Sequence, residues 1–111
     1  MRTSYHTMTH VKAPRDTIIG LIKDWLGKNA FRLQSSAESI PMIAKRGMRF
    51  PGLTDDQTST KMSIIVRELN GECALSIQHR TTRFLFITGL MFGDILMTTS
   101  EKLLSHVKDN T

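Results

Sequence analysis

The chain has 111 residues, of which 40% are hydrophobic and 23% charged, and this composition excludes a disordered chain and fits one domain, 1–111, with a single core. Its one cysteine, Cys73, excludes an internal disulfide framework, and no run reaches the ~20 apolar residues of a membrane span. The net charge is +5, with nine Lys/Arg against three Asp/Glu in residues 1–50 and six against seven in residues 51–111.

A basic excess is the footprint of nucleic acid or an anionic surface, although a small domain also carries such charge for solubility. The first residues, MRTSYHTMTHVKAP, hold no apolar leader core. With the lone cysteine, this gives a cytoplasmic protein as the expectation.

In chain order, Thr3–Val11 alternates Tyr5, Thr7, Thr9 and Val11 against His6, Met8 and His10, the period of a strand. Its buried side is not evident from this stretch alone. A helix follows, with Pro14 in its first turn and Asp16 complementing the dipole. Ile18, Ile19, Ile22, Trp25 and Leu26 form its apolar stripe, and Gly27 is expected to mark its end. Two strands are expected next, over 30–36 and 40–46, paired across a short connection, with Pro41 at the start of the second. Residues 47–59 read as an irregular segment whose apolar Met48, Phe50 and Leu53 suggest that it folds back over the core or a pocket rim.

Lys61–Arg80 is the clearest element. Asn70-Gly71 is the strongest two-residue hairpin signal, because a type I′ turn needs positive φ at both central positions. Pairing outward from it sets Glu68 opposite Cys73, Val66 opposite Leu75, Ile64 opposite Ile77 and Met62 opposite His79. The other face pairs Arg67 with Ala74, Ile65 with Ser76 and Ser63 with Gln78. The first face is largely apolar, so the sheet is covered on that side. A long amphipathic helix, from about residue 88 to 109, is expected last. Met91, Phe92, Ile95, Leu96, Thr99, Leu103 and Val107 share its broad face, flanked by Met97 and Leu104.

The predicted class is α+β: a four- to five-stranded antiparallel sheet packed on two helices in the order β-α-β-β-β-β-α. That order, the Pro-initiated first helix ending near Trp25 and the long last helix resemble the TATA-box-binding-protein-like arrangement and the helix-grip domains of the START and birch-allergen kind. The resemblance implies a curved sheet gripping the C-terminal helix.

Residues with chemistry are few. His6 and His10 share a strand face but lack a third ligand, so no metal is expected. Cys73 and His79 lie about 20 Å apart along one strand, too far to share a proton. No phosphate loop, Ser/His/Asp set or catalytic carboxylate pair appears, so neither a catalytic residue nor a cofactor is expected.

The leading expectation is a non-enzymatic domain holding an apolar or amphipathic ligand, or a protein segment, between the sheet and the last helix. Met48, Phe50, Leu53, His79, Met91 and Ile95 would line that site. An alternative is nucleic-acid or anionic-surface binding through Lys45, Arg46, Arg49, Arg80 and Arg83, if these converge at one end of the sheet. A third is a homodimer formed through Phe84–Met97, so that the chain is either a monomer or a dimer.

Overall fold

The computed structural model describes residues 4–35, 40–46, 60–81 and 89–111. The elements are β1 (Ser4–Val11), α1 (Arg15–Lys28), β2 (Arg32–Leu33), β3 (Met42–Arg46), β4 (Thr60–Leu69), β5 (Glu72–Thr81) and α2 (Gly89–Asp109). One antiparallel sheet runs β1-β5-β4-β3-β2. The expected class and element order are therefore the observed ones, and the arrangement is a helix grip.

The hairpin has the register derived from its turn. Met62 pairs with His79, Ile64 with Ile77, Val66 with Leu75 and Glu68 with Cys73. Asn70 and Gly71 have φ of 56° and 79°, as a type I′ turn requires. The inner face of β4 and β5 is fully buried from Met62 to Val66 and from Cys73 to His79, while the intervening residues are half-buried or exposed. A shift of one residue would turn this whole set to water.

Strand β1 lies beside β5, at the edge opposite β2, and pairs along its full length from Ser4 with Arg80 to Val11 with Cys73. The chain must then cross the sheet from one edge to the other. Four interstrand steps span about 19 Å, and the 14 residues of α1 make a rod of about 21 Å. The stripe Ile18, Ile19, Ile22, Trp25 and Leu26 is buried as expected, in one cluster with the inner face of the sheet. Tyr5, Thr7, Thr9 and Val11 prove to be the inward side of β1, and the Tyr5 hydroxyl donates to Glu101 Oε1 of α2 at 2.6 Å.

The two ends of α1 differ from expectation. Pro14 is the N-terminal cap rather than a first-turn residue and offers no side-chain cap. The carboxylate of Glu68, at the end of β4, takes that role by accepting the Arg15 N–H at 2.7 Å. At the other end, Gly27 remains helical and the left-handed residue is Ala30, with φ of 65°. The Phe31 N–H reaches back to the Leu26 carbonyl at 2.9 Å, the long bond of a Schellman closure. The Asn29 amide also donates to the Trp25 carbonyl at 2.8 Å, so the last turn closes without a glycine. This closure turns the chain so that Phe31 enters the core, 5.8 Å from the Trp25 ring.

Strand β2 is shorter than expected, with only Arg32 and Leu33 in the ladder, opposite Lys45 and Ala44. Among the described side chains of α2, the buried ones are Leu96, Thr99, Ser100, Leu103, Leu104 and Val107, with Met97 at the exposed margin. Among the described residues no helix is long and apolar enough to cross a membrane.

Two substitutions test this account of α1. Ala30→Gly removes the left-handed penalty and is expected to raise stability by up to about 1 kcal/mol in urea unfolding. Glu68→Ala uncovers the Arg15 N–H and is expected to cost about 1 kcal/mol. Unchanged midpoints in both would refute these caps.

Candidate functional site

The inner face of the sheet changes character along its length. Near the hairpin turn it is apolar, and Ile64, Val66, Leu75, Ile77, Leu103 and Val107 belong to one buried cluster. At the opposite end it is polar. Register aligns Leu33, Ala44, Met62, His79 and Tyr5 in one inner row across all five strands. The next inner row holds Arg46 opposite Thr60. Arg46, Thr60 and His79 are all buried, and Leu96, Thr99 and Ser100 of α2 are buried with them.

His79 is the centre of this cluster. Its ring is fully buried, and Nδ1 lies 3.3 Å from both the Leu96 carbonyl oxygen and Ser100 Oγ. A carbonyl can only accept, so Nδ1 carries the proton and shares it between the two oxygens. Nε2 is then a bare acceptor, and it has no partner among the described residues. Thr60 Oγ1, diagonally across the β4–β5 ladder, is a second buried polar atom without one. Burial pushes the His79 pKa down from 6.5 to about 4. The Leu96 hydrogen bond works against that shift and the nearby Arg46 charge adds to it, and the ring is neutral at pH 7.

Arg46 lies over the Phe31 ring, 4.5 Å from its centroid, and donates to the Asn29 carbonyl and Thr99 Oγ1 at 3.4 Å each. The other face of the cluster is the contact of Phe31 with the His79 ring, with centroids 5.9 Å apart. A cleft of about 260 Å³ opens beside Arg46, lined by Trp25, Lys28, Asn29, Thr99 and Lys102 among others. His79 and Thr60 do not line this cleft; Arg46 and Thr99 stand between it and the His79 ring, so the cluster offers an acceptor at Nε2, a hydroxyl and a guanidinium on the inner side of the cleft wall.

Of the residues read from the sequence as ligand-site candidates, only the side chain of His79 is among those described. His79 is at the centre. Met91 and Ile95 lie in α2, but their side chains are outside the described set, as are Met48, Phe50 and Leu53 altogether. The expected basic cluster divides. Lys45 and Arg80 are exposed on the outer face, whereas Arg46 is buried on the inner one, because successive strand residues point to opposite sides. Arg49, Arg83 and residues 84–88 fall outside the described residues, and of 89–95 only the helical backbone is described; Leu96 is buried and Met97 is exposed.

Thr60 and Ser100 were not anticipated. Thr60 was legible as one more step of the alternation before Met62, and Ser100 as the position between Leu96 and Leu103 on the helix stripe.

Cys73 is buried at the turn end of the sheet, with Sγ 3.3 Å from the Ala13 carbonyl. Burial raises its pKa and Glu68 adds to this, while Arg15 opposes it, which favours the protonated thiol. His6 and His10 face outward, with the His6 ring 2.9 Å from Ser76 Oγ. Among the described residues no three His, Cys, Asp or Glu side chains form a metal-binding group.

The state of His79 has a consequence for acid stability. Its folded pKa lies below the unfolded one, so the unfolded chain binds more protons between pH 6.5 and 4. Stability is complete above pH 6.5, falls as the pH drops towards 4 and levels off below it. The share due to His79 is roughly 3 kcal/mol. Urea unfolding from pH 7.5 to 4 is expected to show this slope in the wild type and a flatter one in His79→Phe. Equal slopes would place His79 in water.

No family model matches the chain, and no curated protein matches it. Solved structures do. CalU16 from Micromonospora echinospora is 11% identical with a TM-score of 0.65, over 95% of this chain and 71% of that one. An uncharacterised protein from Bacillus thuringiensis is 9% identical with a TM-score of 0.64, over 96% of each chain. TTHA0849 from Thermus thermophilus is 11% identical with a TM-score of 0.54, over 96% of this chain and 95% of that one. At such identities the likeness is one of fold.

Proposed function

We propose that this chain is a non-enzymatic binding domain that holds a small apolar or amphipathic molecule between the polar end of the sheet and α2. The observation that carries this reading is the fully buried His79 ring, whose Nε2 has no partner among the described residues. Leaving a buried acceptor unmade costs about 1–3 kcal/mol, a cost removed by a ligand that donates to it. The ligand best suited presents a neutral donor, such as a hydroxyl, on an apolar body. Phe31, Met62 and Leu96 supply apolar surroundings, and Thr60 offers a second hydrogen bond. Towards the turn the buried cluster is continuous, so the ligand belongs at the His79 end.

Naphthalene and 2-naphthol share a shape and differ by one donor. In amide NMR titrations 2-naphthol is expected to shift Leu96, Thr99, Ser100 and His79. It should bind about 1 kcal/mol more tightly than naphthalene, and His79→Phe should erase that difference. If neither compound moves these resonances, the reading fails.

A further inference from the structure

We propose that the outer face of the sheet binds the phosphodiester backbone of a single-stranded nucleic acid, along a line of four cations contributed by four neighbouring strands. Register pairs Arg32 with Lys45, Lys45 with Lys61, and Lys61 with Arg80. Residues directly opposite in an antiparallel ladder share a face, and here that face is the outer one. The residues beside them, Phe31, Ala44, Arg46, Thr60, Met62 and His79, are buried on the inner side. The four cations therefore stand side by side over three interstrand steps, about 14 Å.

No ion pair holds any of the four among the described residues. Arg67 adds a further cation on the same face, and among the described residues the nearest acidic one there, Glu72, sits beside the hairpin turn at the far end.

Like charges directly opposite each other oppose strand pairing. The register cannot slip to separate them, because the Asn70-Gly71 turn and the buried inner face both fix it. An anion is the complement that relieves the row, and its linear form selects a linear polyanion whose flexible backbone can place successive phosphates on successive strands.

A lipid surface is served by any scatter of cations and gains from apolar side chains that enter it. The row adjoining these cations, His6, Gln78, Ser63 and Ile43, has one apolar side chain, itself half-buried, and offers a bilayer little to take in. No Phe, Tyr or Trp stands on the described outer face, whose rings are the imidazoles of His6 and His10, so stacking is minor, sequence is not read and contact is chiefly to phosphates. This site lies on the opposite side of the sheet from His79 and is independent of the ligand proposed there.

Fluorescence anisotropy with labelled oligothymidylate of 20 nucleotides, and with a mixed-sequence RNA of equal length, tests the proposal. Four phosphate contacts predict a log–log salt slope of about −3, or roughly a fiftyfold loss of affinity between 50 and 200 mM NaCl. Both oligonucleotides should bind alike. Lys45→Gln/Lys61→Gln should roughly halve the slope while unfolding at the same urea concentration as the wild type or a higher one, since it relieves opposed charges. Arg32→Gln/Arg80→Gln should have the same effect on the slope, and Lys108→Gln on α2 should have none. The proposal is overturned by absence of binding at 50 mM salt, by salt-insensitive binding, by double variants that bind like the wild type, or by a strong sequence preference. It is also overturned if the protein sediments with vesicles of 30% phosphatidylserine in phosphatidylcholine and ignores both oligonucleotides.

Discussion

The inner face of the β4–β5 hairpin has to be kept from water, and the rest of the molecule is arranged around that need. A two-residue turn sets the register, and the register puts Met62, Ile64, Val66, Cys73, Leu75 and Ile77 on one side, each fully or almost fully buried. No single element covers a twisted sheet of five strands. Helix α1 crosses it from the β1 edge to the β2 edge, and α2 lies along it with Leu103 and Val107 in the same cluster. At about 25 cal/mol per Å² of apolar surface, such burial outweighs any one hydrogen bond in the structure.

The same alternation that builds the core separates two kinds of chemistry. On each of three neighbouring strands an inward polar residue sits next in sequence to an outward cation: Arg46 beside Lys45, Thr60 beside Lys61 and His79 beside Arg80. The inward set makes a dry, polar end of the inner face, with a neutral histidine whose Nε2 has no partner among the described residues. The outward set makes a charged line in water. Neither set is visible as a cluster along the chain, since its members are 14 to 19 residues apart and meet only through strand pairing.

What could be read directly from the sequence was whatever depends on local geometry. The hairpin was legible because Asn70-Gly71 permits few other conformations, and α1 and α2 were legible from stripes of apolar residues at helical spacing. Non-local consequences were less accessible. Placing β1 against β5 depends on the span of α1, and the cap on α1 comes from Glu68, 53 positions from Arg15. The end of α1 is not legible at Gly27, because glycine is the usual left-handed residue, whereas here Ala30 takes that conformation while Phe31 and Asn29 bond back to the last turn. His79 was identified as a polar group of the inner face. Arg46 and Lys45 are neighbours in sequence, but strand alternation sends the two to opposite sides of the sheet.

Methyl–methyl NOEs in solution test the central claim most directly, namely that the even-numbered face of β4 and the odd-numbered face of β5 are the ones beneath the two helices. Cross-peaks are expected that connect Leu75 and Ile77 with Leu103 and Val107 of α2, and Ile64 and Val66 with Ile18 and Ile22 of α1. Contacts from Ile65 to either helix in their place would mean that the sheet presents its other face to the helices, and both the buried histidine site and the outer line of cations would be lost with it.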